Sequence, residues 1–385
     1  MSIEQGKQKI ERAKRNMPVM ALISQDFASR MPFKGIVIGC CLHITSETAL
    51  LCLALKSGGA SVLLTASNPL STNDDVVEAL REQGIVVYGK RGETVEEYNA
   101  NLLRVAHNLP DIIIDDGADL SRAVHNLSPE LKMPIGGCEE TTTGVNVIRQ
   151  MEKRGELRYP ILNVNDAVMK HNFDNYYGTG QSVIDGIMRA TNKLLAGQTF
   201  VIAGYGYCGR GLAQRARGMG CNVIITEIDP IQALKAIMDG FQVMTMFEAA
   251  TIGDIFVTVT GNRDVITTEH MKLMKDRAIL ANAGHFDVEI NVNDVKEFPN
   301  LILLGEGRLV NLVCAEGHPS SVMDMSFSLQ ALGCEYMLDN AKDMTPRVHD
   351  MPKEIDDMVA KLKLESLGIK IDELTQEQKK YLGYV

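Results

Sequence analysis

Gln198-Thr-Phe-Val-Ile-Ala-Gly204-Tyr-Gly206-Tyr-Cys-Gly209-Arg-Gly-Leu-Ala-Gln214 is the stretch that decides the fold. An apolar run, Phe200 to Ala203, leads straight into a G-x-G-x-x-G turn that opens an amphipathic stretch, RGLAQRARGMG. This is the strand–turn–helix context the motif requires. The first two glycines permit a tight turn and close approach of a pyrophosphate to the helix N-terminus, and the third, Gly209, lets helix and strand pack closely. Glu227 ends the next apolar run, NVIITE, 18 residues after Gly209. An acid there accepts hydrogen bonds from both ribose hydroxyls and repels a 2′-phosphate, which selects NAD over NADP. Tyr207 and Cys208 complete the turn on the cofactor side.

Outward from this motif the pattern repeats. Downstream lie FQVM (241–244), DIFVTVTG (254–261), RAILANAG (277–284) and LILLG (301–305), with helical stretches between them. Upstream lie GIVIGCC (35–41), ASVLLTA (60–66), GIVVYG (84–89) and DIIIDD (111–116), separated by helical candidates at 46–57, 73–83 and 94–107. Short Val/Ile/Leu runs alternating with helices predict parallel strands buried on both faces and joined by right-handed crossovers. The expected fold class is therefore α/β, with two Rossmann-like doubly wound domains. The expected bounds are 1–176, completed by about 318–350, for a substrate domain and 177–317 for an NAD-binding domain. A charged, periodic C-terminal segment, 351–385, reads as a helical arm packing on the body or on another subunit. The Asn/Asp-rich stretch LNVNDAVMKHNFDNYYGTGQS (162–182) reads as the junction between the domains and the start of a helix.

Composition narrows the class of function. Thirty-nine basic against 49 acidic side chains in 385 residues leave a formal charge of −10 and no basic cluster with interleaved aromatics, which argues against nucleic acid as a partner. No stretch approaches the roughly 18 apolar residues of a membrane span, so no membrane partner and a cytoplasmic location are expected. Eight cysteines without a C-x-x-C pair read as reduced core thiols, with neither a disulfide framework nor a metal site.

Polar clusters sit just past the apolar runs, where ligands gather in open sheets. Thr258-Val-Thr260-Gly261-Asn262 and Asn282-Ala283-Gly284-His285 follow two strands of the second sheet, and small residues there let a dinucleotide lie flat. In the first half, His43, Thr45 and Glu47 follow one strand, Asp115 and Asp116 end another, and Glu139-Glu140-Thr141-Thr142-Thr143 follow Gly136-Gly137 and Cys138. With Lys170, Asp174 and Asn175 from the junction, the set contains a base for alcohol oxidation, a carboxylate to tune it and a second acid/base pair.

Read together, CCLHITSETA, IIDDGADL, EETTTGV, NVNDAVMKHNFDNYYGTGQS, VIAGYGYCGRG, VIITEIDP, NAGHFDVEI, EGRLVN and GHPSSVMDMSF resemble S-adenosylhomocysteine hydrolases in order and over nearly the whole chain. The resemblance implies one tightly held NAD⁺ per protomer, a nucleoside thioether as substrate and a homo-oligomer, a tetramer in the family. It implies oxidation of the 3′-OH to a ketone, loss of homocysteine from the acidified C4′ centre, addition of water and reversal of the oxidation, without net consumption of cofactor. By this resemblance Lys170 matches the group at the 3′-OH, supported by Asp174 and needing a lowered pKa. Asp116 and His43 match the pair near C4′ and the leaving group, and Asn175 and His285 line the reacting centre. Glu140 and Thr141 match ribose contacts, and Thr45, Glu47 and His318 the substrate's other contacts, while Glu316, a candidate contact to the base, stands where many relatives have Met. Thr142, Thr143, Glu227 and Asn311 match NAD contacts, Asn311 at the nicotinamide amide.

The chain also departs from that pattern. Thr179 stands where the family commonly has Cys, the stretch from Val292 to Leu304 is short, and no extension follows YLG before Val385. The last departure leads to an expectation of looser NAD binding and of a site not completed by a neighbouring protomer. The base stays open between adenine, whose N6 amine Glu47 would accept from, and hypoxanthine, whose N1–H Glu316 would accept from. A silent NAD-binding regulator and an ordinary dehydrogenase are the readings outside this chemistry.

Overall fold

Leu, Ile and Val on both faces of a strand require cover on both sides, and in this computed structural model, which describes residues 2–128 and 130–384, each sheet is a central layer between helices. Met1, Pro129 and Val385, which fall within the expected domain and arm ranges, lie outside the described residues.

The strands are β1 (Val37–Leu42), β2 (Ser61–Ala66), β3 (Val86–Tyr88), β4 (Ile112–Asp115), β5 (Gly136–Glu139), β6 (Ile161–Asn163), β7 (Thr199–Ala203), β8 (Asn222–Thr226), β9 (Gln242–Val243), β10 (Ile255–Thr258), β11 (Ile279–Asn282), β12 (Ile302–Leu303) and β13 (Val348–Asp350). The first sheet has seven strands in the order β13-β6-β5-β4-β1-β2-β3 and the second six in the order β12-β11-β10-β7-β8-β9. Every named pairing is parallel. Both sheets are doubly wound, and their order reverses between β1 and β4 and between β7 and β10, the places where such folds open a crevice.

Alternation within the runs shows why they are continuous. Ile38, Cys40, Leu42, Leu64, Ile112 and Ile114 enter one core, while Cys41, Leu63 and Ile113 enter the core on the opposite face. In the second sheet Phe200, Ile202, Val223 and Ile225 divide in the same way from Val201, Ile224 and Phe256. All eight cysteines are free thiols, six of them buried. Among the described residues no helix is long and apolar enough to cross a membrane.

One continuous helical stretch carries the chain from the first sheet to the second. It starts with Val168–Lys170, passes through a π-helical segment, His171–Gly178, and continues as the α-helix Thr179–Thr191. Glycines let it pack backbone to backbone on the helix after the G-x-G-x-x-G turn: a Cβ on Gly211 would lie 1.9 Å from the Tyr176 carbonyl, and one on Gly180 2.6 Å from the Gly211 carbonyl. Two later segments return to the first sheet. The helix Ser320–Asn340 packs against β4 and β5, and the helix Lys353–Ser366 packs on it and on the helix Pro18–Arg30. The arm expected over 351–385 is thus seated in the body as far as Ser366, and the described residues after it are exposed, apart from a half-buried Lys379.

Candidate functional site

The carboxyl ends of both sheets face one cavity of about 880 Å³. From the first sheet it receives the loops after β1, β4 and β5, and from the second those after β7, β10 and β11. Every expected site residue except Gly209 lines it. Gly209 is buried in the turn, where a Cβ would lie 2.0 Å from the Gly204 carbonyl. Gly204 has φ of 102°, which favours glycine, and a Cβ on Gly206 would meet nothing within 4 Å, leaving room for a diphosphate at the helix that starts at Tyr207.

The π-segment explains how the junction brings its polar residues to one point. In a helix bonded i→i+5, as in Thr179 N–H to Asp174 C=O, positions i+4 and i+5 flank position i. Lys170 Nζ accordingly donates to Asn175 Oδ1 at 2.8 Å and lies 3.2 Å from Asp174 Oδ1. From the first sheet Glu140 Oε1 approaches to 3.5 Å. All of these are buried. Burial opposes the charge on Lys170, but Asp174 and Glu140 outweigh it and hold the ammonium above lysine's ordinary value. This corrects the expectation of a lowered lysine pKa: two adjacent carboxylates overcome desolvation. Asp174, despite burial, is held below the usual carboxylate range by Lys170 and His318, whose Nδ1 is 3.1 Å away. Glu140 goes the other way, pushed by burial up to about 8 against the pull of Lys170.

A second cluster forms where the sheets meet. Asp116 Oδ2 lies 3.4 Å from His43 Nε2 and Asp116 Oδ1 3.4 Å from His285 Nδ1, so a carboxylate from the loop after β4 sits between an imidazole of each sheet. His285 packs on Gly117, where a Cβ would come within 2.3 Å of its Nε2. Burial pushes His43 down to about 4 against the pull of Asp116, leaving a neutral ring whose Nδ1 is 2.7 Å from Ser71 Oγ. Asp116 Oδ1, Glu140 Oε1 and His285 Nε2 are buried without a hydrogen-bond partner, an arrangement that calls for a ligand.

The remaining expected residues are placed as follows. Glu47 is buried in the first turn of the helix Ser46–Ser57, capped by Thr45, and its carboxylate accepts from Ser46 Oγ at 3.1 Å and from Ser320 Oγ. Glu316 is at the rim, 62% exposed, with Arg189 3.8 Å away. His318 touches Thr179 Oγ1 as well as Asp174, which sets it beside Lys170. Thr141 is occupied as an N-cap, accepting from Gly144 N–H and donating to Glu139. Thr142 accepts from Asn165, and Thr143 faces Gly261 across the cleft. Glu227 accepts from the N–H groups of Tyr205, Ile228 and Asp229. Tyr207 lies on His171, with ring centroids 4.2 Å apart, and Cys208 meets Thr179. Asn311 donates to Ser182 and keeps a buried Oδ1 with no partner.

Two carboxylates hold the loops in place, a role that sequence reasoning gave to neither. Glu139 accepts from Gly117 N–H, Ala118 N–H and Thr141, and Glu289 accepts from Thr260 and Gly261 N–H. Each sheet thus ties the loop after one strand with an acid from the end of the neighbouring strand, Glu139 of β5, or from the connection that follows it, Glu289 after β11. Glu139 adjoins Glu140 in the chain and Glu289 lies within NAGHFDVEI, but neither position reveals a buried acceptor of backbone N–H groups.

The family models for S-adenosyl-L-homocysteine hydrolase match residues 1–136 and, for its NAD binding domain, 175–300. The chain belongs to this family. It is 55% identical to the S-inosyl-L-homocysteine hydrolase of Methanocaldococcus jannaschii, over 98% of this chain and 96% of that protein. It is 56% identical to the adenosylhomocysteinase of Aquifex aeolicus, over 99% of this chain and 96% of that protein. A dipicolinate synthase crystal structure from Bacillus halodurans, 13% identical, superposes with a TM-score of 0.51 over 80% of this chain and 99% of its own, a likeness of fold alone.

NAD⁺ is the cofactor of the family's second domain, and the residues present fit it. The glycine turn leaves space for a diphosphate, Glu227 offers a carboxylate where a ribose diol would lie, and the partnerless Asn311 Oδ1 is an acceptor suited to an amide N–H.

Proposed function

We propose that the chain hydrolyses the thioether of S-adenosyl-L-homocysteine to homocysteine and adenosine, reversibly. The observation that carries this reading is Lys170, held among Asn175, Asp174 and Glu140, in the same cavity as the His43–Asp116–His285 cluster. One group serves a sugar hydroxyl and the other the bond to sulfur.

When bound, NAD⁺ supplies reversible oxidation at C3′ of the substrate. The protein's part is proton traffic and orientation. Lys170 must lose a proton before it can take one from the 3′-OH, and its amine is held for that exchange among Asn175, Asp174 and Glu140. Asp174 stays ionised and keeps the amine oriented, while Asn175 fixes its direction from the other side. Asp116 then takes the C4′ proton. His43, neutral at pH 7, can give a proton to the departing sulfur and later take one from water. Closing the sheets over the substrate removes solvent that would quench the activated carbon.

Glu47 favours adenine. Two hydroxyl donors already turn toward its carboxylate, so it presents acceptors to the purine, which suit an N6 amine and oppose an O6. S-inosyl-L-homocysteine is the alternative substrate because a relative of that name is equally similar. The exposed Ile228, Ile231, Leu234, Ile237 and Met238 on and before the helix Pro230–Met238 support a homo-oligomer, and eight free thiols support a cytoplasmic enzyme.

The test is release of free thiol from each substrate by the purified protein without added NAD. Many turnovers support the hydrolase and rank the bases; no thiol from either substrate after NAD loading refutes it. For the cofactor, Glu227→Gln exchanges an acceptor for a donor and is expected to weaken NAD binding about 10- to 100-fold, from loss of charge-assisted bonds of about 1.5–3 kcal/mol. Equilibrium dialysis of cofactor-stripped protein measures it, and unaltered affinity would remove Glu227 from the diol.

A further inference from the structure

The helix that begins at Val168 has an unusual start. Its first N–H groups need acceptors, and its N-cap, Ala167, has no side-chain oxygen to offer. The acceptor comes instead from 188 residues downstream: Asp356 Oδ2 takes Val168 N–H at 2.7 Å and Asp356 Oδ1 takes Met169 N–H at 2.9 Å. Asp356 is only 6% exposed. Burying a carboxylate is costly, and a Ser, Asn or Asp at the N-cap would satisfy the same N–H groups locally. What the distant acceptor adds is a tie between the helix Lys353–Ser366 and the residue that follows the two capped ones, Lys170.

The same helix braces the partners of Lys170. Lys363 Nζ meets Asp324 Oδ2 at 2.7 Å, and Asp324 also accepts from Val19 and Met20 N–H. Asp324 lies in the helix Ser320–Asn340, whose Ser326 donates to Asp174 at 2.8 Å and whose Gln330 donates to Glu140. The seated part of the C-terminal segment therefore touches both elements that set the geometry around Nζ, without reaching the cavity itself.

We propose that Asp356 is a positioning residue for Lys170: by capping Val168 and Met169 it fixes the first turn of the catalytic helix and so the place of the amine against the substrate's hydroxyl. This rests on the reading of Lys170 given above. A misplacement of about 1 Å is enough to cost on the order of 100-fold in rate.

The experiment compares Asp356→Asn with Val359→Ala in the NAD-loaded full chain. Asn keeps the size but turns a donor toward one of the two N–H groups. Val359 is fully buried on the same helix and loosens its seating without touching the cap. Asp356→Asn is expected to lower kcat for thiol release about 10- to 100-fold with KM within about 2-fold and NAD content unchanged, the signature of a group that acts in the transition state. Amide hydrogen exchange at 168–171 should quicken in Asp356→Asn and not in Val359→Ala, and Val359→Ala should keep its kcat while its unfolding midpoint falls. Wild-type kcat in Asp356→Asn, or activity that falls in step with the unfolding midpoint in both variants, overturns the proposal. If wild-type protein releases no thiol, the hydrolase reading fails first. The exchange comparison still decides the cap, with unchanged exchange in Asp356→Asn overturning it.

Discussion

Lys170→Ala is expected to lower thiol release by about 10²- to 10⁴-fold, the range over which a positioned acid or base contributes, while leaving NAD bound. The lysine is buried, and the turn that holds the cofactor is built from residues of the second sheet that do not contact its amine. Its removal leaves Glu140 and Asp174 without their cation, but Glu140, near 8 even with the cation beside it, is then mostly neutral at pH 7 and adds little unpaired charge. The fold should survive for that reason, and the loss should appear in kcat. The readouts are thiol release by a colorimetric reagent, NAD content after denaturation, and nicotinamide absorbance on substrate addition, which should not change if the 3′-OH keeps its proton. Thiol release at the wild-type rate would refute the role.

Asp116→Asn should lose a comparable factor, about 10²- to 10⁴-fold, but at another step. The amide has the carboxylate's shape and sits at the same 3.4 Å from both imidazoles, yet it cannot accept a proton from carbon. Substrate should then be oxidised at C3′ and held there, so nicotinamide absorbance rises on mixing and persists while no thiol appears. His43 cannot replace the carboxylate effectively, because burial holds its pKa near 4 and makes it a weak base. Wild-type thiol release, or failure of the absorbance to rise, would separate Asp116 from the C4′ proton. Together the two variants divide the reaction into the half served by Lys170 and the half served by Asp116.

The long strands and the cofactor turn were legible because their physics is local. A strand covered on both faces must be apolar along its buried length, as at 37–42 and 200–203, and a dinucleotide turn must leave out side chains where the backbone bends at Gly204 or packs at Gly209. Three strands were not legible. β5 reads Gly-Gly-Cys-Glu and β6 and β13 span three residues each, too short and too polar to announce themselves, so that only their neighbours in the sheet make them strands.

The site divides along the same line. The identity of its polar residues was readable, since each stands just past an apolar run or within the junction. Their protonation was not: desolvation, Asp174 from the same helical stretch and Glu140 from the first sheet act on Lys170 together, and the balance between them raises its pKa where burial alone would lower it. Glu139 and Glu289 as loop ties, and Asp356 as a cap 188 residues from the backbone it serves, were invisible for a related reason.

From the order of its residues alone this chain determined two open parallel sheets, an NAD-binding turn and the set of side chains at their carboxyl edges, because periodicity, glycine placement and the chemistry of single side chains act over a few neighbouring positions. Only the tertiary structure decided which of those groups share one cavity, which carry a proton and which distant carboxylates hold them there, because electrostatic and hydrogen-bond energies depend on separation in space and on exclusion of water.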